Sequence, residues 1–200
     1  MRIGLCLLFV ISVAFAKTHL VMQITDIHLE PDYREGTPAV CENRPCCREN
    51  SIPTNETYPA PLYGDHNCDN SPEFFVDSLH YFREFFESHP NLKPDFIIAT
   101  GDEPTHRKRE TQTQELNVGV IRYVYGKLKE VFSDYQIYPA FGNHDTFPEG
   151  RMSAPPENRW MTDVMADLWE SWIPEDQMDN LRYGGYFTAL VSLPISSEKP

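Results

Sequence analysis

Three short apolar runs, 20–25 (LVMQIT), 95–100 (DFIIAT) and 136–141 (QIYPAF), constrain this chain most, because each has strand length and each ends directly in a polar motif. The first runs into Asp26, Ile27 and His28, the second into Gly101 and Asp102, the third into Gly142, Asn143, His144 and Asp145. Helical periodicity fills the gaps. Ser71 suits an N-cap and Pro72 a first helical residue, and Phe75, Leu79, Phe82 and Phe86 then form one apolar stripe. Leu116, Val120, Tyr123, Val124, Leu128 and Val131 form a second stripe that stops near Ser133 and Asp134. Strand, helix, strand, helix, strand predicts an α/β sheet with crossover connections and the stripes in its core. In such sheets ligands collect at the carboxyl ends of strands, so three loops far apart in sequence are expected to converge on one site.

Beyond Pro155 the pattern predicts a third helix with Trp160, Val164, Leu168 and Trp172 on one face and Pro174 closing it. Residues 183–193 (YGGYFTALVSL) read as a glycine-opened strand or hairpin arm.

Residues 1–16 carry Arg2, an apolar run from Ile3 to Val13 and the small-residue pattern Ala14, Phe15, Ala16, the layout of a secretory signal peptide. The run is too short for the roughly twenty residues that span a bilayer, so the expectation is a mature domain over 17–200 without a transmembrane segment. Losing Arg2 leaves 16 basic against 30 acidic residues. That surface repels a polyanion, which argues against a nucleic-acid polymer as partner. With 40% apolar and 12% aromatic residues the chain can build one sizeable core.

Cys6 lies in the signal segment, and the other four cysteines fall between positions 41 and 68, where an oxidising compartment predicts two disulfides. Pairing the neighbours Cys46 and Cys47 needs a strained ring. Two frameworks remain: Cys41 with Cys46 plus Cys47 with Cys68, or Cys41 with Cys47 plus Cys46 with Cys68. The cluster lacks paired C-x-x-C spacing, which disfavours zinc there. Asn55, in Asn55-Glu56-Thr57, is a glycosylation sequon, which implies a surface loop.

Taken alone, D-x-H and G-D are weak signals. G-N-H-D arises by chance only roughly once in a thousand chains of this length, and all three in order at strand ends form a strong one. Carboxylate, imidazole and carboxamide groups are ligands for hard or borderline divalent ions, and an aspartate can bridge two. Two ions about 3.5 to 4 Å apart can clamp a phosphate for in-line displacement. A neutral Asn143 can coordinate through its carbonyl oxygen without adding charge that repels an anion, and His144 beside it is placed to protonate a leaving oxygen.

These motifs resemble those of the calcineurin-like metallophosphoesterases. TDIHLEPDY, CENRPCCR, GDEPTH, FGNHD and the segment from Trp160 to Trp172 are similar to the acid sphingomyelinase and sphingomyelinase-like branch, from about Leu20 to about Leu190. The resemblance implies a four-layer αββα sandwich and two zinc ions. By matching positions, Asp26 and His28 would bind one metal, Asp102 would bridge and Asn143 would bind the second, while His144 would be the general acid and His106 would lie near the substrate phosphate. It also favours Cys41 with Cys46 and Cys47 with Cys68. The implied activity is that of a secreted or lysosomal phosphodiesterase hydrolysing sphingomyelin to ceramide and phosphocholine, with peripheral lipid contact. The alternatives are a nucleotide phosphodiesterase or a truncated, non-catalytic secreted product.

Four departures shape those expectations. The branch's G-D-x-P-A-H-D segment here ends in Arg107, a guanidinium where a carboxylate is expected near the phosphate. Thr105 stands where purple acid phosphatases carry a metal-binding tyrosine, which favours zinc over iron. No saposin-like domain fits before Leu20, which, with Asp145, suits nucleotide substrates as well as lipid. No histidine follows His144, whereas the family completes its site with three downstream histidines, so the C-terminal part of the fold is expected to be missing.

Overall fold

The computed structural model describes residues 18–191; the signal-peptide reading of 1–16 falls outside them. Strands β1 (Val21–Ile24), β2 (Phe96–Ala99) and β3 (Ile137–Pro139) form one parallel sheet in that order. Ile24 pairs with Ala99 and Ala99 with Pro139, so the three strands end level and release their loops at one edge. In this register Met22 and Ile24, Ile97 and Ala99, and Ile137 and Pro139 share the core face.

Helices α1 (Pro72–Ser88), α2 (Gln114–Val131), α3 (Arg159–Trp169) and α4 (Met178–Gly184) complete the architecture. Their starts follow from side-chain chemistry. Ser71 accepts the Phe74 N–H at 3.1 Å and Thr113 accepts the Leu116 N–H at 3.1 Å, each satisfying a donor that the first turn leaves free. The core gathers Ile97 and Ile137 from the sheet, Phe75, Leu79 and Phe86 from α1, Val124 and Leu128 from α2, and Met165 and Trp169 from α3. Of the sandwich implied by resemblance, the described residues supply one sheet and its helical layer. On the opposite face of the sheet Val21 and Gln23 are exposed and Phe96, Ile98 and Tyr138 only half-buried.

Three expectations need correction. Phe82 and Tyr123 are exposed, because each lies at the flank of its stripe rather than on the line facing the sheet. The buried face of α3 is Met161, Met165 and Trp169, one residue away from the predicted Trp160, Val164 and Leu168; Trp160 and Leu168 pack only at its margin, whereas Trp172, past the helix end, is buried in the core as expected. Residues 183–191 form no strand. Tyr183 and Gly184 belong to α4, and Gly185, at φ +72°, is its left-handed C-cap, donating its N–H to Leu181 O at 2.9 Å.

Between Pro31 and Asn70 the chain has no helix or regular strand. Disulfides Cys41–Cys46 and Cys47–Cys68 hold it, around a cluster of Ala39, Cys47 and Ala60. Asn55 is exposed in a turn of this segment.

Candidate metal centre

Beyond the strand ends the loops remain fastened. Asp26 N donates to Gly101 O at 3.0 Å, His28 N to Asp102 O at 3.0 Å and Leu29 N to Glu103 O at 2.8 Å, which carries the pairing of β1 and β2 past the sheet edge. The third loop is held by carboxylates: His144 N donates to Asp102 Oδ1 at 2.7 Å, and Asp145 accepts from Gly142 N at 2.7 Å, Glu103 N at 3.2 Å and Asp102 N at 3.4 Å.

Two glycines make this crossing possible. A Cβ on Gly101 would stand 2.0 Å from Gly142 N, and one on Gly142 would stand 2.1 Å from Asp102 Oδ1. Asp26 (φ 53°), His28 (φ 41°) and Asp102 (φ 63°) adopt left-handed backbone, uncommon for non-glycine residues and concentrated at sites where geometry serves chemistry.

The result is a set of converging donors. Asp26, His28 and Asp102 offer ligand atoms within 4.8 Å of one another, as do His28, His106 and His144. The three rings stand 3.8 Å (His28 to His106), 4.5 Å (His106 to His144) and 4.8 Å (His28 to His144) apart. His28 Nδ1 lies 2.9 Å from Pro104 O. A carbonyl can only accept, so Nδ1 carries a proton, which leaves Nε2 as the nitrogen placed to ligate a metal. Asp26 Oδ1 lies 3.7 Å from that Nε2. This donor set fits a hard or borderline divalent ion. Asn143 sits on the adjoining loop, exposed, with its amide donating to Glu149 Oε1 at 3.3 Å.

The pKa values of the two remaining histidines are shifted in opposite directions. Asp69 accepts from His106 Nδ1 at 2.7 Å, and that bond holds the His106 pKa above its usual value. Burial would raise the Asp69 carboxyl, but hydrogen bonds from His106 and Thr105 outweigh it and hold the pKa low. Burial lowers the pKa of His144. Its Nδ1 is buried without a partner and Nε2 lies 3.3 Å from Glu149 Oε1, so the neutral ring carries its proton on Nε2.

Arg107 is not available to a phosphate. Its guanidinium is bound by Glu30 and Asp32, and Glu30 is fully buried, with Oε2 2.9 Å from Thr105 Oγ1. The sequence reading missed Asp69, Glu30, Glu103, Glu149 and Asn117, whose amide donates to His144 O at 3.0 Å and to Thr146 O at 3.3 Å. Of these Glu103, inside the G-D-x-P segment, and Glu30, inside TDIHLEPDY, lay within segments already under scrutiny. Asp145 was visible in its motif, but not its service to three backbone donors.

The calcineurin-like phosphoesterase family model matches residues 19–193. The chain belongs to this family. It is 32% identical over 184 residues to sphingomyelin phosphodiesterase B of Dictyostelium discoideum, covering 91% of this chain and 28% of that protein. It is 30% identical over 173 residues to sphingomyelin phosphodiesterase of Bos taurus, covering 84% and 27%. It is 28% identical over 169 residues to cyclic GMP-AMP phosphodiesterase SMPDL3A of Bos taurus, covering 84% and 35%. The chain thus spans well under half the length of these metallophosphoesterase relatives. Family membership implies divalent metal ions, and the donors at the loop edge of this metallophosphoesterase domain fit them. No helix among the described residues is long and apolar enough to cross a membrane.

Proposed function

We propose that this chain is the N-terminal, metal-binding part of a zinc-dependent phosphodiesterase of the acid sphingomyelinase type, which hydrolyses sphingomyelin to ceramide and phosphocholine. The observation that carries the proposal is the convergence of Asp26, His28 and Asp102 from two separate strand ends, with Asn143 and His144 delivered beside them by the third. In this reading residues 1–16 direct the protein to the exterior or the lysosome, and Asn55 carries a glycan. Asp26 and His28 would hold one zinc ion, Asn143 the second, and Asp102 would be shared between them; the ions would supply Lewis-acid stabilisation to the phosphate and lower the pKa of a bound water. His106 would contact the phosphate, and His144 would act in its imidazolium form, giving the Nε2 proton to the leaving oxygen and returning to the neutral ring. Glu149 Oε1 lies 3.3 Å from both Asn143 Nδ2 and His144 Nε2, so these two roles would require it to give up both contacts.

Incubation of the full-length protein with zinc and either sphingomyelin or nucleotide phosphodiesters tests the substrate. Phosphocholine release from the lipid supports the reading. Turnover of nucleotides alone rejects it in favour of a nucleotide phosphodiesterase, an alternative supported by the similarity to cyclic GMP-AMP phosphodiesterase.

A further inference from the structure

The cysteine-stapled segment reaches the site through Asp69, the residue after Cys68, which is bonded to Cys47. Both oxygens of its carboxylate are engaged by one turn of the second loop. Oδ1 accepts from His106 Nδ1 at 2.7 Å, while Oδ2 accepts from His106 N at 2.6 Å and Thr105 Oγ1 at 2.6 Å. The next residue, Asn70, is tied to the first loop: its N donates to His28 O at 3.0 Å, its O accepts from Glu30 N at 3.0 Å and its side chain donates to Ile27 O at 2.5 Å. The dipeptide therefore bridges the loop of His28 and the loop of His106, and the disulfide fixes the end from which it enters.

His106 needs such a hold. Half of its side chain is exposed, and a ring on an open loop otherwise samples several rotamers and both tautomers. With Nδ1 engaged by a carboxylate, Nε2 is the atom left free, on a ring already packed against His28 and His144. We propose that Asp69 is a positioning residue that acts through His106, fixing which imidazole nitrogen faces the substrate, and that the Cys47–Cys68 disulfide sets where Asp69 stands. The inference rests on the proposed role of His106 at the phosphate.

A double-mutant cycle in the full-length protein tests it. Asp69→Ala is expected to lower kcat about 10- to 100-fold, the usual loss when a group that orients an active-site imidazole is removed, with KM little changed. In a His106→Ala background the same substitution is expected to cost nothing further. Losses that multiply would show that Asp69 acts elsewhere and would overturn the proposal. Should Asp69→Ala fail to fold, Asp69→Asn, which keeps the side chain's shape, takes its place in the cycle with the same non-additivity expected. A second readout needs no substrate. In this chain the engaged Nδ1–H of His106 is expected to give a downfield, slowly exchanging proton resonance, identified by its loss in His106→Ala and absent in Asp69→Ala. No such resonance in the unsubstituted chain would overturn the proposal. If it behaves as expected while no phosphodiester is hydrolysed, the contact stands and the functional reading alone falls.

Discussion

Two regions of this chain reach order by different physics. The sheet and its helices are held by burial: Trp169, Ile97, Leu128 and Met165 are all fully buried in one continuous core. Residues 31–70 have almost no apolar interior, only Ala39, Cys47 and Ala60 packed with Tyr33 and Cys68, and are held by two disulfides and short turns. The candidate metal centre lies where the two meet. The buried region places Asp26, His28, Asp102, Asn143 and His144 by aligning strand ends, whereas the stapled region adds Asp69 and through it orders His106. Burial can place a backbone, and a covalent staple can then fix one side chain against it without a second core.

The sharpest way to break the contrast is to damage the core. Trp169→Ala is expected to destabilise the chain by about 3–5 kcal/mol, the range for emptying a buried aromatic site, and to lower both the helical signal and metal binding in one transition on chemical denaturation. Replacing Cys47 and Cys68 together by Ser, which opens a loop of sequence separation 21, should cost somewhat less, about 3 kcal/mol by chain-entropy reasoning. Circular dichroism is expected to show the helices intact while proteolysis cuts within 31–70. A helical signal lost in parallel would mean that the staple supports the core as well.

A smaller change separates site from scaffold. Gly142→Ala puts a Cβ 2.1 Å from Asp102 Oδ1 and should cost about 1–3 kcal/mol, as overpacking does, yet disable metal binding disproportionately, as titration calorimetry would report.

The smallest effect is a slope with pH. Burial pushes the Glu103 carboxyl well above the usual carboxylate range, with Asp145 adding to it, and burial raises Asp145 also. The folded chain therefore keeps a proton that the unfolded chain releases above about pH 4.5, so this contribution is complete below that value and is lost as pH rises toward the raised folded pKa. Thermal melts should show greater stability at about pH 5 than at about pH 7.5, and Glu103→Gln should flatten the difference. A melting temperature that rises with pH would contradict the assignment.

Much of the buried region was legible because its signals are local. Strand-length runs, Ser71 with Pro72 and the stripes of α1 and α2 identify their elements within a few residues of themselves. The errors arose where local signals compete. Residues 183–191 carry strand-forming aromatics, but Gly185 in left-handed conformation ends a helix there. In α3 the prominence of Trp160 drew attention from Met161 and Met165, which face the core. The motif residues were legible as a group because each follows a strand. Asp69 was not, since it lies 37 residues from His106, inside a segment with no periodicity. The pairing of Arg107 with Glu30 spans 77 residues and was equally invisible.

Three loops separated in sequence are expected to assemble a metal site, and the zinc content of the purified chain after zinc loading reads this out, with Asp102→Ala measured beside it. Stoichiometric zinc is expected in the unsubstituted chain and its loss in Asp102→Ala, with the helical signal unchanged in both. Zinc absent from the unsubstituted chain, or retained equally by Asp102→Ala, would contradict it.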